Sequence, residues 1–118
     1  MTFASPAFII PIVTGPIFTL AGLLLLKFPP RAINNIYGYR TSRSMRSQEN
    51  WDFAQEYSAR RMMWAGVILT SISPLGLFLD RELSGIISGA VLVISAAIVP
   101  IVLTERKLIG RIKNKERI

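Results

Sequence analysis

Apolar residues in this chain fall into three long blocks separated by short polar stretches, rather than into the alternation of strands or the one-sided stripe of soluble helices. Phe3 to Leu26, Met62 to Leu79 and Leu83 to Leu103 each lack a charged side chain. A membrane-spanning helix needs roughly 20 mostly apolar residues, with a working range of about 17–25. The pattern therefore predicts an all-α integral membrane protein. Its three transmembrane helices lie over about 3–26, 62–79 and 83–103, in a single domain covering 1–118.

The polar positions between the blocks refine this outline. In the first span, Pro11 and Pro16 each remove a backbone donor and predict a kink. Thr14 or a neighbouring helix is expected to satisfy the freed carbonyls. Lys27 and Phe28 mark the interface, and Pro29-Pro30 stops the helix. In the loop over 27–61, Asn34, Asn35 and Gly38 are turn formers. From Ser47 to Arg61 a short amphipathic cytoplasmic helix is predicted, with Ser47 as N-cap and Glu49 in the first turn. Its stripe of Trp51, Ala54 and Tyr57 or Ser58 lies on the membrane surface or packs beneath the bundle. The helix runs on into the second span, which places the Arg60 and Arg61 heads at the interface. The turn Asp80-Arg81-Glu82 folds the last two spans into an antiparallel hairpin. On the third span, Gly85 and Gly89 form a GxxxG packing face. Two partners are open: the second span of the same chain, or the same face of another copy in a homo-oligomer. The basic tail over 104–118 reads as an amphipathic or frayed helix on the inner leaflet.

Composition agrees with the pattern: half the 118 residues are apolar and the mean hydropathy is +0.43. The net charge of +7 would suit nucleic acid, but its distribution argues for topology. Residues 27–61 carry seven Lys/Arg against three acids, and the residues after Leu103 carry six against two. Residues 80–82 carry one base and two acids, and nothing before Lys27 is charged. Basic stretches that alternate with spans follow the positive-inside rule. They predict a multi-pass cell-membrane protein with the N-terminus outside and the C-terminus cytoplasmic. The first residues lack the positive region of a secretory signal and are expected to remain as part of the first span.

Candidate chemistry is sparse. The chain has no cysteine and no histidine, which removes thiolate chemistry, the commonest metal ligand and the neutral-pH acid/base. No ionisable residue lies within a span, so a pump or coupled transporter acting alone is disfavoured. No phosphate loop or ligand spacing is present, so neither enzyme activity, metal nor cofactor is expected. Asp52 and Glu56 share a helix face and read as partners of Arg60 or Arg40. The specific chemistry concentrates in residues 35–54. Gly38 permits a turn, Tyr37 and Tyr39 flank it, and Arg40 offers five donors to carbonyls, a carboxylate or a phosphate. Thr41 and Ser44 suit local turns. Two readings stand. In one the loop folds onto the inner mouth of the bundle, with Arg40 clamping carbonyls and Trp51 anchoring the interface. In the other it is a platform for a peptide, a lipid headgroup or a soluble partner.

The order N-x-x-G-Y-R-T, S-x-x-S, W-x-x-A and then an apolar span resembles the SdpI family of small bacterial membrane proteins. The signature positions are Asn35, Gly38, Tyr39, Arg40, Thr41, Trp51 and Ala54. After that alanine the family often has Asn, where this chain has Gln55. The resemblance implies a non-enzymatic immunity or resistance protein that protects against a membrane-active toxic peptide. Candidate contacts are the signature loop and the polar middle of the second span, Thr70, Ser71, Ser73 and Pro74. A function of another class is a membrane scaffold, which would hold a soluble cytoplasmic regulator or anionic lipid at the basic face.

Overall fold

The computed structural model describes residues 4–79 and 81–116. Three α-helices follow in order: α1 (Pro6–Lys27), α2 (Gln48–Ile72) and α3 (Glu82–Glu116). A short 3-10 turn, Ser44–Arg46, precedes α2, and another, Ser73–Phe78, prolongs it. The described residues include no strand. All three helices are long and apolar enough to cross a membrane. Asp80, at the expected hairpin turn, lies outside the described residues, as do the first three residues and the last two.

Helix length separates α1 from the other two. At 1.5 Å per residue, α1 rises about 33 Å, close to a hydrocarbon core of about 30 Å. The 35 residues of α3 rise about 52 Å and so extend about 20 Å beyond such a core. The amphipathic stretch from Gln48 is not a separate fourth helix; it is the first half of α2. The basic tail is likewise the last turns of α3, helical through Glu116. Both are carried by propagation: once a helix is nucleated, each further residue adds a hydrogen bond at low cost. The two extensions pack on each other, and Leu108 is fully buried between them and the rest of the chain.

Inside the apolar part, contact is made where side chains are missing. The buried residues of α1 are Ala7, Pro11, Gly15, Gly22 and Leu25, small except for the last and at roughly helical repeat. A Cβ added at Gly15 would lie 2.8 Å from the Thr70 nitrogen and 2.9 Å from the Gly66 oxygen. One added at Gly22 would lie 2.7 Å from the Ala59 oxygen. Backbones of α1 and α2 therefore touch, the arrangement that small residues permit in lipid. The GxxxG face of α3 meets α1 and not the second span, one of the two partners expected for it. Gly85 faces Pro6 and Ala7, and Gly89 faces Ile10. Gly15 and Gly22 of α1 face α2, and the small residues of α3 pack instead on Pro6, Ala7 and Ile10 at the start of the same helix. The large side chains that remain, among them Ile17, Leu20, Ile68, Val91 and Ile98, point outward and are exposed, as a lipid-facing surface requires.

The two internal prolines leave α1 as one helix. Thr14 donates to the Ile10 carbonyl at 2.7 Å, not to the Ala7 and Ile12 carbonyls whose i+4 donors Pro11 and Pro16 delete. Ser5, buried before α1, donates to the carbonyls of Gly76 (3.0 Å) and Leu79 (2.6 Å). It ties the start of α1 to the end of the second apolar segment.

Candidate functional site

The chain between α1 and α2 is built onto α2 by buried polar groups. Ser47 caps α2, its hydroxyl accepting from the Asn50 N–H at 3.1 Å. Trp51, Ala54, Gln55 and Ser58 then face inward, so of the two stripe candidates Ser58 is chosen and Tyr57 is left half-exposed. Trp51 is wholly buried and its indole N–H donates to the Pro30 carbonyl at 2.7 Å. It is a bolt under the proline turn, not the expected interfacial anchor.

Gln55 is the centre of the arrangement. Its Oε1 accepts from the Tyr39 N–H at 2.7 Å, and its Nε2 donates to the Tyr39 carbonyl at 2.8 Å. The side-chain amide thus pairs with the loop as a neighbouring strand would. Gly38 makes the approach possible: its φ is +107°, and a Cβ there would lie 2.7 Å from the Pro30 ring. Thr41 and Ser44 close the turn reciprocally, Thr41 N–H to Ser44 Oγ at 2.8 Å and Ser44 N–H to Thr41 Oγ1 at 3.1 Å. Asn50 donates from Nδ2 to the Arg43 carbonyl at 3.2 Å.

The far side of the loop is fastened to α3. The Tyr39 hydroxyl donates to Glu105 Oε1 at 2.7 Å, and Arg43 forms an ion pair with Glu105 Oε2 at 3.0 Å. Burial, then the bond to the Glu105 carboxylate, push the Tyr39 phenol well above its ordinary range. Burial acts to raise the Glu105 carboxyl as well. Donors from Thr41, Tyr39 and Arg43 outweigh it, and the group titrates below the usual carboxylate value. Glu105 stands just beyond the charge-free stretch ending at Leu103. Farther out, Glu49 pairs with Arg111 (3.4 Å) and with Lys115, and Arg111 lies 4.3 Å over the Phe53 ring.

Of the signature residues, Gly38, Tyr39, Thr41, Trp51 and Ala54 are absorbed by this scaffold. Asn35 and Arg40 are exposed, and Arg40 donates from Nη1 to the Asn35 carbonyl. Beside Arg40 opens a cleft of about 480 Å³. The loop from Tyr37 to Thr41 forms its rim, and its walls are apolar: Phe18 and Leu25 of α1, Ala97, Pro100 and Ile101 of α3. Thr70 and Ser73 do not join this site. They bond to carbonyls of their own helix, Gly66 at 2.9 Å and Thr70 at 2.8 Å. Ser73 lies toward the opposite end of the bundle, where Ser5 meets Gly76. Glu56 pairs with Arg60 at 3.1 Å, as expected, while Asp52 accepts from Gln48.

Sequence reasoning passed over Glu105, and it noted Gln55 only as a departure from the family's Asn. Each left a faint signal. Gln55 is an amide between Ala54 and Ser58 on the buried stripe, and Glu105 is the first acid after a charge-free span.

This design of membrane-length helices under a glycine-turned, amide-locked loop coincides with a known family. Residues 31–104 match the SdpI/YfhL protein family, a stretch that takes in the loop, α2 and α3 to Thr104. The chain belongs to that family. A curated relative, "Uncharacterized protein YfhL" of Bacillus subtilis (strain 168), is 40% identical over 97 residues, covering 82% of this chain and 84% of the relative. No solved structure matches the chain.

Proposed function

We propose that this protein is a non-enzymatic immunity protein of the bacterial cell membrane that protects against a membrane-active toxic peptide. The cleft between α1 and α3 would hold an apolar part of that peptide. The observation that carries the reading is the cleft's make-up: apolar walls at the level of the spans and one exposed arginine, Arg40, at the rim. Membership in a family whose best-known members are immunity proteins supports it. The positive-inside rule puts the basic end, and so the cleft mouth, on the cytoplasmic side. A secreted peptide then reaches the cleft laterally, after entering the bilayer.

Expression in a toxin-sensitive cell, scored by survival, tests this. Protection is expected from the native chain and is expected to fall with Arg40→Ala at unchanged membrane level. Arg40 makes one exposed carbonyl contact, so its loss costs the fold little, about 0.5 kcal/mol or less. Undiminished killing of cells carrying confirmed membrane-inserted protein sinks the proposal for that toxin. The reach of α2 and α3 beyond the bilayer favours a second reading, a scaffold for a soluble cytoplasmic regulator. Co-purification of such a protein from detergent, lost on Arg40→Ala, would favour it.

A further inference from the structure

A second groove, of about 310 Å³, runs between α2 and α3. Its walls are Ala65, Ile68 and Ile72 from α2 and Leu92, Val99 and Leu103 from α3, and Arg61 closes one end. From Arg61 to Ile72 the helix rises about 16 Å, about half of a 30 Å hydrocarbon core. The groove is therefore one leaflet deep, with a cation at its wet end.

That end is unusually basic. Arg61 lies over the Tyr57 ring at 5.0 Å, and its Nε is buried without an acceptor. Arg106 and Lys107 line an adjoining recess of about 670 Å³, which shares Leu103 with the groove. Neither hollow is lined by Asp or Glu. Among the described residues Arg61, Arg106 and Lys107 form no ion pair, while Arg111, which also lines the recess, is paired with Glu49. The half-buried Arg61, whose Nε lacks an acceptor, bears the cost of that uncompensated charge, and the exposed Arg106 and Lys107 add to the positive field beside it. A ligand that relieves it while filling the groove has a phosphate head and a hydrocarbon tail.

We infer that this groove binds an anionic phospholipid of the leaflet on the basic side, with its phosphate among Arg61, Arg106 and Lys107 and one acyl chain along α2 and α3. The site is independent of the immunity reading and uses none of the signature residues. Its one-leaflet depth and the bases at its wet end together fit one acyl chain and one phosphate.

The test uses the full chain, purified in detergent, mixed with equal phosphatidylglycerol and phosphatidylcholine, and read by native mass spectrometry. Phosphatidylglycerol is expected to be retained preferentially. Arg61→Gln is expected to lower that preference about fivefold, the weight of one basic residue near an anionic surface, with Arg61→Lys keeping most of it. The double change Arg106→Gln/Lys107→Gln removes two such residues and should lower the preference about 25-fold, and it touches only exposed side chains, so it reports even where Arg61→Gln fails to fold. Ala65→Phe, which fills the groove, should lower retention of both lipids. Equal retention of the two lipids by the native chain, or an unchanged preference in the double variant, overturns the inference. So does displacement of phosphatidylglycerol by an equal concentration of inorganic phosphate, because the acyl groove would then contribute nothing.

Discussion

The two ends of this bundle are held by opposite means. Through the spans, α1 meets α2 and α3 over Gly15, Gly22, Gly66, Gly85 and Gly89, and most large apolar side chains face outward, with Leu25 and Leu69 the buried exceptions among the described residues. At the basic end the loop is held by buried polar side chains: Gln55, Ser44, Asn50 and the indole of Trp51. The difference follows from the solvent. In lipid, apolar burial drives nothing, so helices associate by close backbone packing. At the aqueous rim an irregular loop has backbone donors and acceptors that must be met, and side chains reaching from α2 meet them.

The contrast can be broken at either end. Gln55→Leu keeps size and removes the amide, leaving the Tyr39 N–H without its partner, while Ser44 still reaches the Tyr39 carbonyl at 3.2 Å. An orphaned donor costs about 1–3 kcal/mol and a lost bond about 1 more, so a loss of about 2–4 kcal/mol is expected. Denaturant unfolding in micelles, with hydrogen exchange confined to residues 37–44, checks it. Stability equal to the native chain would show that the amide is not the fastener.

Gly66→Ala probes the other end with a single methyl group. The added carbon collides with backbone and side chain of Thr19 and with the Gly15 carbonyl, so about 1–3 kcal/mol is expected, a typical cost of overpacking. Here exchange should rise along α1 and α2 and leave the loop protected. Uniform exchange in both variants would mean that the two ends unfold as one.

The smallest effect is expected from acid. The Glu105 carboxyl is lowered in the fold, so its contribution is complete above the ordinary carboxylate value and is lost as pH falls through the lowered one. The Arg43–Glu105 pair is partly exposed, which limits the effect to about 1 kcal/mol or less. Protection factors at Tyr39 and Arg43, taken relative to an unstructured amide at the same pH, should fall on acidification, and Glu105→Gln should show the same fall at neutral pH. An Arg43 amide indifferent to both would remove α3 from the loop's supports.

Much of this architecture is legible in the chain by itself. Three charge-free blocks, Pro29-Pro30 as a stop and Ser47 as a cap predict the helices and the start of α2, because each rests on local rules of length, donor loss and capping. The signature was legible too, as a resemblance, and Gly38 was correctly read as a turn. What was misread depended on distant partners. Trp51 is apolar and near an interface, so it passes for an anchor until Pro30 is seen above it. Gly85 and Gly89 announce a close approach without saying to which helix. Gln55 and Glu105 are ordinary polar residues one at a time.

Composition and pattern alone therefore determined three membrane-length helices, a basic end and the absence of thiol or imidazole chemistry. These follow from interactions within a few turns of chain or from residues simply being absent. Only the tertiary structure decided that the GxxxG face of α3 packs on α1. It alone showed that the basic tail is a continuous extension of α3, and that Tyr39 is held between Gln55 and Glu105. Those contacts join residues 16 and 66 positions apart. No local periodicity carries that information, because it arises only when the close backbone approach of α1 and α2 sets the height of the loop against α3.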